Sequence, residues 1–225
     1  MKNLVACALF FGVFTLNAYA DTHEIIYKNS KGEEIQGLFY NAKNVLFLES
    51  EIAIDWQKVS FDVVGGDYEW KEDKKELYVI PKKGKVDIYV KIEGRELWKE
   101  LPARAVPKPE IYFFDGKREV VENESISNKG KLKVTFEHRE DFATLCPFDT
   151  NAFFSEINVE YLNDGIVARE TKGKTELLKQ SKLLDKKLLK SAKKVRVNME
   201  NLVRYNYKGS KENILLSPFY IFEVE

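Results

Sequence analysis

The sequence predicts a mostly-β protein of two tandem β-sandwich-like domains, the second (α+β) with one amphipathic helix packed on an antiparallel sheet. Three observations lead there. The 225-residue chain holds 11 Tyr, 15 Phe and 3 Trp against 2 Met, a stock that favours strands. Short β-branched or aromatic runs recur about every ten residues, with turn residues between them. One stretch alone repeats apolar residues at helical spacing. With 44% hydrophobic residues the chain can fill a core, which excludes wholesale disorder.

Residues 1–20 read as a signal peptide. Lys2 supplies the positive start, Leu4 to Phe14 an apolar core of about eleven residues, and Ala18 and Ala20 the small residues read at a cleavage site before Asp21. A membrane-spanning helix needs ~20 apolar residues, and no later segment qualifies either. Leu4-Val5-Ala6-Cys7 also fits the short lipidation pattern, but the apolar run continues past Cys7, which favours the cleaved leader. Cleavage leaves Cys146 as the single cysteine, so no disulfide within the exported chain is possible.

Residues 21–106 form the first domain, a small β-sandwich. Its strands are expected at Asn44 to Glu49, Val59 to Val64, Tyr68 to Trp70, Glu76 to Ile80 and Lys85 to Ile92. In the last of these Val86, Ile88, Val90 and Ile92 alternate with polar or amphipathic residues, the period of a strand buried on one face. Gly65-Gly66-Asp67 and Lys82-Lys83-Gly84 supply turns. Pro102, Pro107 and Pro109 remove amide donors and stiffen the chain, marking a linker.

Residues 107–225 form the second domain, with strands at Glu110 to Phe114, Lys131 to Glu137, Phe153 to Leu162, Ile166 to Arg169, Lys194 to Asn198 and Phe219 to Val224. Asn163-Asp164-Gly165 predicts a hairpin turn. The helix is expected from about Thr175 to Ala192, with Thr175 as cap and Leu177, Leu184, Leu188 and Ala192 on one face.

Candidate chemistry is sparse. Lys+Arg and Asp+Glu are 36 each, a balance that argues against a dedicated nucleic-acid binder. Two His and two Cys leave little for zinc. His138 with Cys146 is the one conceivable nucleophile pair, and no nucleophile-elbow or cysteine-protease signature surrounds it. The carboxylates interleave with lysines, as in Lys71 to Glu76, and read as solvated turns. Trp56, Trp70 and Trp98 offer a carbohydrate platform or, more simply, core aromatics. The sharpest surface feature is the helix face carrying Lys179, Lys182, Lys186, Lys190 and Lys193, a docking surface for an acidic partner, peptidoglycan or anionic lipid headgroups, or a merely solvated face.

Several segments in order resemble the C-terminal region of the GldM family, periplasmic proteins of the Bacteroidetes gliding-motility and type IX secretion machinery. They are Val106-Pro107-Lys108-Pro109, Cys146-Pro147-Phe148-Asp149 leading into Phe154 to Val159, the Leu/Lys helix, Val195 to Leu202, and Leu216-Ser217-Pro218-Phe219. Residues 21–106 are more weakly similar to the small sandwich that precedes that region. Family members carry an inner-membrane helix and a long N-terminal periplasmic region, where this sequence has a cleavable leader. The resemblance therefore implies only the distal part: a periplasmic, non-enzymatic scaffold without cofactor that contacts outer-membrane-associated proteins and forms homodimers. The alternative from the residues alone is a cell-envelope carbohydrate-binding or glycan-acting β-sandwich.

Overall fold

The computed structural model describes residues 25–51, 53–130, 132–163, 166–174, 184–214 and 216–225. The expected leader with Cys7, His23, and residues 175–183 of the expected helix lie outside the described residues.

The first unit comprises β1 (Ile25–Lys28), β2 (Leu38–Phe39), β3 (Asn44–Ser50), β4 (Ser60–Val64), β5 (Gly66–Lys71), β6 (Glu76–Pro81), β7 (Lys85–Ile92) and β8 (Arg95–Arg104). They form two four-stranded sheets, ordered β1-β3-β6-β5 and β2-β8-β7-β4. The alternation along β7 does what its period requires: Val86, Ile88, Val90 and Ile92 are buried between the sheets, beside Phe61 and Val63 of β4. Gly65 and Gly66 carry the chain from one sheet to the other. Gly65 has φ +97°, and a Cβ there would lie 2.6 Å from the Lys85 carbonyl oxygen, so only glycine fits the crossing.

Three elements of this unit differ from expectation. β1 and β2 are short pairings that the sequence pattern does not mark. β8 runs through Pro102, where a linker was expected to begin, and pairs with β7 from Arg95 to Pro102 across a two-residue turn at Glu93 and Gly94. Both turn residues have positive φ, 48° and 80°, the requirement of a tight hairpin. The extended connection shrinks to residues 105–109.

The second unit comprises β9 (Glu110–Asp115), β10 (Arg118–Val120), β11 (Ser125–Ile126), β12 (Leu132–Glu137), α1 (Glu140–Leu145), β13 (Asn151–Asn163), β14 (Ile166–Lys174), α2 (Lys186–Leu189), β15 (Lys194–Tyr205), β16 (Lys211–Ile214) and β17 (Phe219–Val224). Among the described residues, β10-β9-β12 is one sheet and β11-β17-β15-β13-β14 the other, with β16 on β15. β13 and β14 pair antiparallel from Asn163 and Ile166 backward, the hairpin that Asn163-Asp164-Gly165 predicts. Phe113, Phe154, Ile157, Tyr161, Val195, Val197, Met199 and Phe222 fill the space between these sheets.

The expected helix does not run unbroken through Asp185: among the described residues α2 begins at Lys186. Asp185 has extended backbone, φ −77° and ψ 115°, and its side chain accepts from the Lys187 and Leu188 amides. It is thus an N-cap rather than a mid-helix residue. Tightened i→i+3 bonds from Ser191 to Leu188 (3.2 Å) and from Ala192 to Leu189 (3.2 Å) close the helix, and β15 begins at Lys194. Leu184 and Leu189 are buried against the sheet.

One element crosses between the units. α1 follows β12, yet Phe142, Leu145 and Cys146 belong to the core of the first unit. With the 3-10 turn Pro147–Asp149, α1 clips one β unit to the other.

Candidate functional site

The lysines proposed as a docking face divide into two groups. Lys179 and Lys182 lie outside the described residues. Lys186, Lys190 and Lys193 are exposed on α2 and the turn after it, with Lys187 and Lys194 beside them. Lys194 pairs with Glu223 at 2.5 Å. Lys186, Lys187 and Lys190 form no ion pair among the described residues. Their mount is firm: the Asp185 amide donates to the Tyr161 hydroxyl at 2.7 Å, and the Lys193 amide donates to the Leu162 carbonyl and to Asn163 Oδ1.

The three tryptophans do not share a surface. Trp70 packs on Phe61 (centroids 4.7 Å apart) and Trp56 (6.0 Å), and both indoles rest on the first core. Trp98 stands on the opposite, outward face of its sheet.

The candidate Cys–His pair is taken up by the clip. Cys146 is fully buried, its thiol donates to Asn44 Oδ1 at 3.3 Å, and burial pushes its pKa well above the ordinary thiol range. A thiolate nucleophile needs the opposite shift. Asn44 itself is saturated: Oδ1 also accepts from the Phe39 amide, and Nδ2 donates to the carbonyls of Phe39, Ala42 and Val79. His138 packs on Phe142, centroids 5.4 Å apart.

Sequence reading missed the polar centre of this junction. Asp149, also fully buried, accepts the Lys43 amide of the first unit through Oδ2 at 2.9 Å. Its Oδ1 accepts the Tyr207 amide of the second at 3.2 Å. Burial raises the Asp149 pKa, opposed by the Lys43 amide, the Arg204 charge and the Tyr207 amide. Arg204 is buried and pairs with Glu212, which Asn206 also contacts at 2.8 Å. Around the rim, Arg104 and Arg139 each reach Asp141 at 2.7 Å, Lys31 pairs with Glu140, and Ser30 Oγ donates to the Thr144 carbonyl. The signal that pointed here was Asp149 itself, an acid in the apolar context of Pro147 and Phe148.

Burial lowers the His138 pKa; the Thr150 backbone, without hydrogen-bond geometry to either ring nitrogen, opposes this, and the Arg204 charge adds to it. The unfolded chain therefore binds the His138 proton first. This contribution to stability is fully present above about pH 6.5 and is lost as pH falls through the depressed folded value. Asp149, with its raised pKa, has the opposite sign: its contribution is present at low pH and is lost as pH rises through the folded value. Urea unfolding is expected to show a falling midpoint between about pH 7 and 5, and the slope should flatten in His138→Phe. A slope retained in that variant would assign it elsewhere.

Among the described residues no His, Cys, Asp and Glu group could hold a metal, and no helix is long and apolar enough to cross a membrane. No family model matches the chain, and no curated protein matches it. Solved structures do. Domains 4 and 5 of the S-layer protein SbsC superpose at TM-score 0.37 and 12% identity, over 89% of this chain and 97% of that one. The titin fragment A168–169 follows at 0.25 and 9%, over 90% and 96%. Human protocadherin-24 EC1–2 superposes at 0.21 and 10%, over 80% and 87%. No functional residue is carried across from any of them.

Proposed function

We propose that this chain is an exported, non-enzymatic protein–protein binding or scaffold module, similar to the distal periplasmic domains of GldM-type gliding and secretion proteins, that contacts envelope proteins in the periplasm. The leader pattern and the ordered GldM-like segments support the address and the kinship. One observation carries the binding role: Lys186, Lys187 and Lys190 stand exposed and, among the described residues, without ion pairs on a short helix and its C-cap, held by the buried Leu184 and Leu189. Like charges held together on a fixed mount repel each other, and an acidic partner relieves that repulsion. The thiol that a Cys–His enzyme would use is instead buried and protonated inside the clip.

The test is capture in the cell. The tagged protein is expressed with its own leader in its native host, crosslinked in intact cells, and compared with a variant in which Lys179, Lys182, Lys186, Lys190 and Lys193 are replaced by glutamate. Wild type is expected to recover specific envelope proteins, which the variant loses while circular dichroism and the thermal midpoint stay unchanged. Equal recovery by both overturns the lysine-face role. Saturable binding or turnover of a glycan by the purified chain alone would replace the reading with the carbohydrate one.

A further inference from the structure

The outward face of the sheet β2-β8-β7-β4 carries a second, differently charged surface. Its register places Asp62 of β4, Tyr89 of β7 and Trp98 of β8 side by side in one row across three strands. The next row holds Val64, Asp87 and Glu100, and the row on the other side Ser60, Lys91 and Glu96. Trp98 is 60% exposed and Val64 49%. The indole N–H donates to Asp87 Oδ1 at 3.2 Å, which ties the ring to the neighbouring strand while leaving most of its surface open. A lone exposed apolar residue needs no explanation. An indole fixed beside a tyrosine and flanked by carboxylates is a different arrangement.

The charges around it are not balanced. Lys85 pairs with Glu100 at 2.6 Å and Lys91 with Glu96 at 3.5 Å, so the outer positions cancel. Asp62 forms no ion pair or hydrogen bond among the described residues, and Asp87 accepts the indole N–H and shares the charge of Lys85 with Glu100. The face therefore carries four carboxylates (Asp62, Asp87, Glu96 and Glu100) against Lys85 and Lys91, with Asp62 across from Tyr89 and Asp87 two residues along β7, next to an open aromatic face.

We propose that this face docks a guanidinium-bearing segment of a partner protein, an Arg side chain lying on Trp98 and Tyr89 and pairing with Asp62 and Asp87. Guanidinium is planar and weakly hydrated, so it stacks on an aromatic face while its edge donates to carboxylates. An ammonium has no flat face to stack and holds its water more tightly. A neutral sugar would use the aromatic face but would leave the carboxylate charge uncompensated. The surface is independent of the α2 lysines, so neither proposal falls with the other.

The test uses the exported chain labelled with nitrogen-15, whose three tryptophan indole signals are assigned by loss in Trp98→Phe, Trp56→Phe and Trp70→Phe. The probe is the peptide acetyl-Gly-Arg-Gly-Arg-Gly-amide, compared with its glutamate counterpart and with a hexamer of N-acetylglucosamine. The arginine peptide is expected to shift the Trp98 signal saturably, to leave the Trp56 and Trp70 signals in place, and to weaken as salt is raised. In Asp62→Asn/Asp87→Asn its affinity should fall about tenfold, while the undisturbed Trp56 and Trp70 signals show that the core is intact. No shift with the arginine peptide overturns the proposal. So does a shift of equal affinity in the double variant, or a response to the sugar alone.

Discussion

Replacing Phe142 by alanine, a change in the second half of the sequence, is expected to destabilise the first unit. Phe142 is fully buried, meets Phe39 edge-to-face with centroids 5.0 Å apart, and sits in the core that spans β1 to β8. Emptying an aromatic site of that kind costs about 3–5 kcal/mol. The readout is favourable because Trp56, Trp70 and Trp98 all lie in the first unit. The tryptophan-monitored urea midpoint should fall, and a wild-type transition common to fluorescence and far-ultraviolet circular dichroism should separate into two. A fluorescence midpoint unmoved by Phe142→Ala would show that α1 contributes nothing to the first unit.

Asp149→Ala should cost a similar amount by a different route. The alanine leaves the Lys43 and Tyr207 amides without their acceptor and removes the negative charge beside Arg204. Arg204 keeps Glu212, so the cost lies in the two amide donors left without an acceptor, about 1–3 kcal/mol each. Asp149→Asn separates the two contributions, since its one carbonyl oxygen can serve only one amide and carries no charge. Denaturant unfolding should rank wild type above the asparagine variant and that above alanine. Equal stability of wild type and alanine would place the junction's energy in its apolar contacts alone.

Most strands were legible because each buries one face. β7 alternates cleanly, and β3, β6, β13 and β17 contain short apolar runs bounded by turns. β8 was hidden by its composition: Arg95, Glu96, Lys99 and Glu100 break the apolar signal, and Pro102 reads as punctuation. The Glu93-Gly94 dipeptide was the clue, since a tight hairpin needs positive φ at both positions. The helix failed at Asp185, which fits a helical period as well as a cap does until Tyr161 is seen to receive its amide. The clip was illegible for a deeper reason. Its six-residue helix buries Phe142 and Leu145 against residues about a hundred positions earlier in the chain, and no local pattern encodes so distant a partner. Cys146-Pro147-Phe148-Asp149 stood out in the sequence for its thiol beside His138 and as a GldM-like segment, neither of which encodes a junction.

The clip makes one body of two β units, and with it fixes the α2 lysines and the Trp98 face on a common frame. Cys146 provides a direct probe, as the single cysteine among the described residues and a fully buried part of the clip, in a chain that begins at Asp21 and so lacks Cys7. The decisive measurement is thiol labelling of Cys146 with a chromogenic disulfide across a urea series, beside tryptophan fluorescence of the same samples. Labelling is expected to stay negligible in the native baseline and to rise at the midpoint at which the tryptophans unfold. Rapid labelling in the absence of urea, with fluorescence unchanged, would mean that the clip opens alone and that the two units are not held together as described.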